Sequence, residues 1–266
     1  MTQYSTIENT GIRVSRISFG TASLHHLFSA RQRQGLLETA ASAGISHFDT
    51  SPYYGYSLAE SDLGVFMHGQ RDHFTVTTKV GLYPFGGAAH GAFGVWSRKA
   101  LGKLYPRWSV PEVDWRIQRA ANSLNASLKR LKTDYVDFLF LHEPDISLVN
   151  ADEFLSWLEL EQSKGKVRYW GLAGLPELIK PWLRVDHPLA LVLQTKDDLV
   201  NRTADFVLES GRKLQFTYGY LSSQLSVGPM ASATEVYRNA LMRNTNGSVL
   251  VSTRHVERIQ QLARIM

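Results

Sequence analysis

The chain of 266 residues is long enough for one or two domains, and its 44% hydrophobic and 20% charged residues are typical of globular proteins. Cysteine is absent, which excludes disulfide scaffolds, thiolate nucleophiles, iron–sulfur clusters and cysteine-ligated zinc. The 29 basic and 24 acidic residues leave a net charge of +5 without a basic run, so we do not expect nucleic acid as a partner.

The start of the chain, MTQYSTIENTG, is polar and lacks the apolar segment of a secretory signal. No apolar run approaches the roughly 18 residues that a membrane-spanning helix needs. We therefore expect a soluble protein without a membrane partner, located in the cytoplasm, and either monomeric or weakly homo-oligomeric.

Eight short apolar runs are rich in β-branched and aromatic residues, and most are bounded by Gly, Pro, Asp or Asn, which is typical of strands. Their continuous apolar character suits strands that are buried on both faces. The predicted strands cover residues 14–19, 47–50, 74–80, 136–142, 169–173, 191–195, 214–218 and 248–252.

Helical patterns lie between these runs. Ser57 and Glu60 have the spacing of a capping box that would begin one helix. Ser109, Pro111 and Glu112 predict another helix start, followed by apolar residues at helical spacing up to position 131. The other predicted helices cover residues 31–43, 151–163 behind a capping asparagine, 176–183, 203–208, 234–243 and 255–265.

Eight strand-then-helix units without a domain break predict an α/β fold: a (β/α)8 TIM barrel, a closed parallel eight-stranded barrel with outer helices, as a single domain over residues 1–266. The alternative is an open doubly wound sheet. That fold would need an early phosphate-binding loop, and neither G-x-G-x-x-G nor G-x-x-x-x-G-K-[ST] is present. The glycine-rich stretch of residues 81–110 interrupts the alternation, and a loop of that length is usually functional or mobile.

The active site of such a barrel lies at the C-terminal ends of the strands. Four groups are expected there: Asp49 and Tyr54 after the second strand, Lys79 at the end of the third and His142 at the end of the fourth. A nearby ammonium would lower the pKa of a phenol, a carboxylate would keep that ammonium charged, and a histidine could orient a carbonyl oxygen. With no metal-ligand spacing and no covalent nucleophile, the set indicates proton transfer at a carbonyl or alcohol oxygen, coupled to hydride transfer from a nicotinamide.

Three blocks of the chain resemble, in order and spacing, signatures of the aldo-keto reductase family: F-D-T-S-P-Y-Y-G at residues 48–55, T-T-K-V-G at 77–81 and L-H-E-P-D at 141–145. The resemblance implies a barrel that uses NADP(H) more often than NAD(H). It would reduce an aldehyde or ketone, or oxidise an alcohol or sugar lactol. By this resemblance Tyr54 is the acid/base, Lys79 and Asp49 tune it, and His142 orients the substrate.

The resemblance also implies where the cofactor binds. Arg258 matches an arginine that commonly pairs with the 2′-phosphate, but many NADPH-dependent members have a lysine where Ser252 stands, so we expect a modest preference for NADPH. A Ser-Asn pair is usual where Ala173 and Gly174 stand, so we expect one contact to the nicotinamide carboxamide to be lost. The implied cofactor-binding residues are Gly20, Thr21, Asp49, Gln194, Tyr218, Leu221, Ser252 and Arg258.

A second class of function stays open from the sequence. Some barrels of this family bind cofactor and serve mainly as regulatory or sensing subunits, and the changes at Ala173 and Gly174 would suit a catalytically weak or inactive module. The complete set of Asp49, Tyr54 and Lys79 with His142 favours an enzyme, because a pure binding protein has no chemical need for it. The sequence therefore predicts an NADP-dependent aldo-keto reductase that acts on a small-molecule carbonyl or alcohol.

Overall fold

The computed structural model describes residues 4–87, 110–224 and 232–265. Eight parallel strands close into the barrel that the sequence predicts, and two short antiparallel pairs lie outside it. In chain order the strands are β1 (Tyr4–Thr6), β2 (Arg13–Ser15), β3 (Ile17–Gly20), β4 (His47–Asp49), β5 (Thr75–Val80), β6 (Leu82–Tyr83), β7 (Glu112–Val113), β8 (Val136–His142), β9 (Val167–Gly174), β10 (Val192–Lys196), β11 (Phe216–Tyr218) and β12 (Ser248–Val251).

The barrel runs from β3 through β4, β5, β8, β9, β10, β11 and β12 back to β3. No helix in the described ranges has the length and apolar content to span a bilayer. The helices are α1 (Ala30–Ser42), α2 (Leu58–Phe66), α3 (Ile117–Leu131), α4 (Ala151–Ser163), α5 (Pro176–Arg184), α6 (Asp205–Glu209), α7 (Tyr220–Gln224), α8 (Ala233–Arg243) and α9 (Val256–Ala263).

The interior of the barrel is filled with aromatic side chains, and the β1–β2 hairpin packs against them. Phe138, Phe140 and Phe216 form one buried cluster with Ile7 and Val14 of the hairpin segment. The predicted strand over residues 14–19 is therefore wrong in one respect, because it is two strands broken at position 16. The hydroxyl of Ser15 donates to the carbonyl of Ile17 at 2.6 Å, which ties the chain into a bend between them.

Helix α2 begins at Leu58, directly after Ser57, as the sequence predicts, but the predicted capping box does not form. Ser57 has a left-handed backbone (φ 72°) and caps no amide, while its hydroxyl donates to the carbonyl of Pro52 at 3.0 Å. Glu60 is fully buried and accepts hydrogen bonds from Thr78 and Arg130.

The predicted helix start at residues 109–112 is replaced by β7, which pairs with β6. Helix α3 begins only at Ile117. Position 109 itself and most of the long stretch of residues 81–110 lie outside the described residues, so the expected role of that stretch stays a prediction.

Candidate active site

A cavity of about 470 Å³ opens at the mouth formed by the carboxyl ends of the barrel strands. This is the end at which barrels of this kind carry their sites. The lining residues are Gly20, Ala22, Asp49, Tyr54, Lys79, His142, Glu143, Ala173, Gly174, Gln194, Tyr218, Gly219, Leu221, Ser222, Tyr237, Leu250 and Ser252.

A buried ion pair forms the floor of the cavity. The Nζ of Lys79 donates to both carboxylate oxygens of Asp49, at 2.6 and 2.8 Å, and also to the carbonyl of Thr50 at 3.1 Å. Asp49 and Lys79 come into contact because β4 and β5 are neighbouring parallel strands, and each residue lies near the carboxyl end of its strand. Burial raises the pKa of Asp49 and lowers that of Lys79, while the pairing opposes both shifts. The two side chains thus form a buried ion pair with a net charge of zero.

Tyr54 lies next to this pair, as the sequence predicts. Its hydroxyl is 3.4 Å from the Nζ of Lys79. Burial raises the pKa of the Tyr54 hydroxyl well above 10, and the Asp49 and Glu143 carboxylates raise it further. The sequence predicts a lowered pKa, but the net shift is upward, because burial of the hydroxyl is its largest cause and the two carboxylates act in the same direction. Tyr54 is therefore a protonated phenol at neutral pH.

His142 stands edge-on to Tyr54, with ring centroids 5.9 Å apart at 88°. Burial lowers the pKa of His142 well below 6.5, and the Lys79 charge acts in the same direction, so the ring is neutral. The Nδ1 atom lies 3.4 Å from the hydroxyl of Ser51, which itself accepts the amide N–H of Tyr53.

Gln194 reaches the floor from the opposite side of the barrel. Its Nε2 donates to Asp49 at 3.0 Å. Its Oε1 is buried and accepts no hydrogen bond from the described residues. A buried acceptor without a donor is costly unless a ligand supplies one. The carboxamide N–H of a nicotinamide is such a donor, so the residues present fit this cofactor.

The structure brings most of the other predicted cofactor residues to the same cavity, since Gly20, Tyr218, Leu221 and Ser252 all line it. Burial raises the pKa of Tyr218. Ser252 lies at the rim, where its hydroxyl is 2.8 Å from that of Ser23.

Two of the predicted residues do not line the cavity. Thr21 is buried behind it, and its hydroxyl donates to the carbonyl of Asp49 at 3.1 Å. Arg258 is half-buried in α9. It lies near Tyr237, whose pKa burial raises to about 12 against the opposing effect of the Arg258 charge.

Sequence reasoning assigned no role to Glu143, Ser51 or Tyr237. Glu143 follows His142 directly, and its carboxylate lines the cavity. It also has a left-handed backbone, with φ 54°. Its position at the end of a barrel strand was a usable signal for Glu143. Tyr237 lies in α8, away from any strand end, and had no such signal.

The fold and the site define the class: a (β/α)8 barrel whose mouth holds a tyrosine, a lysine–aspartate pair and a neutral histidine. The model of the aldo/keto reductase family matches residues 16–179. The chain belongs to the aldo/keto reductase family, as its sequence blocks predict.

Known proteins similar to this chain include two dehydrogenases. An L-galactose dehydrogenase of Arabidopsis thaliana is 32% identical over 178 residues, which are 63% of this chain and 47% of that protein. A D-threo-aldose 1-dehydrogenase of Pseudomonas sp is 31% identical over 180 residues, 62% of this chain and 51% of that protein. The chain thus matches about half the length of these two relatives.

A solved structure shares the fold. The aldo-keto reductase from Klebsiella pneumoniae in complex with NADPH has a TM-score of 0.70 and 17% sequence identity, covering 100% of this chain and 90% of that one. At this identity the likeness concerns the fold.

Proposed function

We propose that this protein is a nicotinamide-dependent oxidoreductase that reduces an aldehyde or ketone to an alcohol, or catalyses the reverse reaction, with Tyr54 as the general acid/base. The observation that carries the proposal is the contact of the Tyr54 hydroxyl with Lys79, at 3.4 Å, beside the neutral ring of His142. The dehydrogenases similar to this chain act on sugars by their names, which supports the same reaction class.

In the reductive direction, the phenol of Tyr54 gives its proton to the carbonyl oxygen as that oxygen gains charge. The Lys79 ammonium stabilises the phenolate that is left, because its Nζ is within hydrogen-bond distance of the phenol oxygen. The neutral ring of His142 donates an N–H hydrogen bond to the same carbonyl oxygen and orients it. Because Tyr54 is protonated at neutral pH, its resting state is the one that reduction requires.

A nicotinamide cofactor would supply the hydride when bound. Gln194 and Tyr218 would hold its nicotinamide end, the first through its unpaired Oε1 and the second through its ring face. Gly20, Thr21, Leu221 and Ser252 belong to the same proposed binding set. We propose NADP(H) rather than NAD(H), because Arg258 can pair with a 2′-phosphate, and the NADPH complex of the Klebsiella barrel is consistent with this.

The experiment is the Tyr54→Phe variant, with Tyr53→Phe as the matched control. Tyr54→Phe keeps the ring and removes the proton, so we expect kcat for carbonyl reduction to fall by about 10²–10⁴-fold with the cofactor Kd within a few-fold of the parent. Tyr53→Phe should keep near-parental turnover. Near-normal turnover of Tyr54→Phe would refute the assignment of Tyr54.

The alternative is a regulatory or sensing module that binds cofactor without catalysis. The unaltered protein would then bind NADPH, measured by quenching of its fluorescence, but it would not oxidise NADPH when an aldehyde, ketone or sugar is added. The complete set of Tyr54, Lys79, Asp49 and His142 supports the enzyme. As an enzyme of small molecules, the protein needs no nucleic acid or membrane partner, and we propose a monomer or weak homo-oligomer in the cytoplasm.

A further inference from the structure

Glu143 is the charged side chain of the cavity lining that has no counter-ion among the described residues. The other two charged lining groups, Asp49 and Lys79, neutralise each other. The Oε2 atom of Glu143 accepts the amide N–H of Leu175 at 3.0 Å. Its Oε1 accepts no hydrogen bond from the residues that the structure describes. The described part of the cavity thus carries one unbalanced negative charge and one vacant acceptor.

Three features hold this carboxylate at the cavity. The backbone of Glu143 is left-handed at φ 54°, a conformation that costs a non-glycine residue about 1 kcal/mol or more and persists only where neighbours enforce it. Its amide donates to the carbonyl of Ala173 at 2.7 Å. Gly174 leaves space for the Glu143 carboxylate, because a Cβ at position 174 would lie only 2.8 Å from its Oε2 atom. Strain of this kind at a site is a reason to look for a function.

A fixed carboxylate discriminates between ligands by charge and by hydrogen bonding. It repels a carboxylate or phosphate group through like-charge repulsion in a cavity of low dielectric. It attracts a hydroxyl group, which can donate a charge-assisted hydrogen bond to the vacant oxygen. Glu143 lines the same cavity as Tyr54 and its charge raises the pKa of the Tyr54 hydroxyl, so such a ligand hydroxyl would belong to a carbon near the reacting one.

We infer that Glu143 is a specificity-determining residue that selects hydroxylated carbonyl compounds, such as aldoses and small hydroxyaldehydes, over acidic ones. The inference rests on the proposed function, since it assumes that Tyr54 and His142 bind the carbonyl oxygen. It names the substrate class and the residue that selects it.

The experiment compares three aldehydes at neutral pH: glyceraldehyde, which carries hydroxyls, propionaldehyde, which carries none, and succinic semialdehyde, which carries a carboxylate. The variant is Glu143→Gln, which keeps the size and removes the charge. The matched control is Glu177→Gln, an exposed carboxylate that acts on Glu143 through space but does not line the cavity.

The unaltered protein should prefer glyceraldehyde to the other two. In Glu143→Gln, kcat/KM for glyceraldehyde should fall about tenfold, because a charged hydrogen bond is roughly twice as strong as a neutral one. For succinic semialdehyde it should rise about tenfold, because the repulsion between the two carboxylates is removed. Propionaldehyde should change by less than about threefold, and Glu177→Gln should change none of the three preferences. The Kd for NADPH should stay the same.

Each opposite outcome has a separate meaning. Turnover with unchanged preferences in Glu143→Gln would refute the inference alone, and so would an equal loss for all three aldehydes, which indicates a positioning role. A Kd for NADPH that weakens with Glu143→Gln would place the carboxylate on the cofactor and also overturn it. No turnover of any aldehyde by the unaltered protein with either NADPH or NADH would refute the proposed function, and the inference with it.

Discussion

Asp49→Asn should destabilise the protein strongly, because it leaves the Lys79 ammonium without a counter-ion. The two side chains are 3% and 2% exposed, and their closest atoms are 2.6 Å apart. Removing one partner of such a pair typically costs about 3–5 kcal/mol. An upper limit follows from the lysine itself, whose ordinary pKa is 10.5. Deprotonating it at pH 7 costs about 5 kcal/mol, since each pKa unit is worth about 1.4 kcal/mol.

The double variant Asp49→Asn/Lys79→Met tests the same reasoning with greater power. It leaves neither charge stranded, so its loss of stability should be smaller than that of either single variant. The resulting coupling energy should be at least about 3 kcal/mol. Urea unfolding followed by both tryptophan fluorescence and circular dichroism gives the free energies, and coincident curves establish that unfolding is two-state.

A matched control is the Arg33–Asp62 pair, which is 4% and 9% exposed and lies away from the cavity lining. Asp62→Asn should also lower the free energy of unfolding, but it should leave the cofactor Kd unchanged. Additive losses in the Asp49/Lys79 cycle, or a cost of Asp49→Asn below about 1 kcal/mol, would refute the buried-pair reasoning.

Three further predictions concern the interior, the rim and the strand ends. Burial lowers the pKa of His47 to about 3. As the pH falls below about 6.5, His47 takes up a proton in the unfolded chain but not in the folded one, so the free energy of unfolding decreases. In His47→Gln this decrease between pH 6 and 4 should be smaller by about 1.4 kcal/mol per pH unit. An unchanged slope would contradict the prediction. Arg258→Ala should weaken NADPH binding about ten- to a hundredfold and NADH binding little, measured by fluorescence quenching, whereas equal losses would make Arg258 a structural residue. Gly174→Ala should lower the free energy of unfolding by about 1.5–3 kcal/mol, because the added Cβ displaces the Glu143 carboxylate from the amide of Leu175. The same substitution in the Glu143→Ala variant should cost much less. Equal costs in the two proteins would exclude that contact as the cause.

The barrel was predictable from the sequence because its strands carry a strong local signal. A run such as residues 136–142 is apolar throughout, since both faces of the strand are buried, and β8 has those same bounds. The carboxyl ends of such strands meet at one mouth, so the meeting of Asp49, Tyr54, Lys79 and His142 also followed from chain order.

The errors arose where distant partners override a local pattern. Ser57 and Glu60 have capping-box spacing, but a buried carboxylate gains more from Thr78 and Arg130, which lie far along the chain. The predicted direction of the Tyr54 pKa shift was wrong because the sequence shows the neighbouring ammonium but not the burial of the hydroxyl, which is the largest cause of the shift. The β1–β2 hairpin was missed because its contacts are with the barrel interior.

The β1–β2 hairpin segment is coupled to the cavity through the packed interior of the barrel. Ala173 and Leu250 belong both to the cavity lining and to the packed cluster that Ile7 and Val14 complete. On the side of these two residues the described wall of the cavity is thus continuous with the packed interior of the barrel. Ile7 and Val14 thus support the cavity wall from behind, although neither side chain lines the cavity.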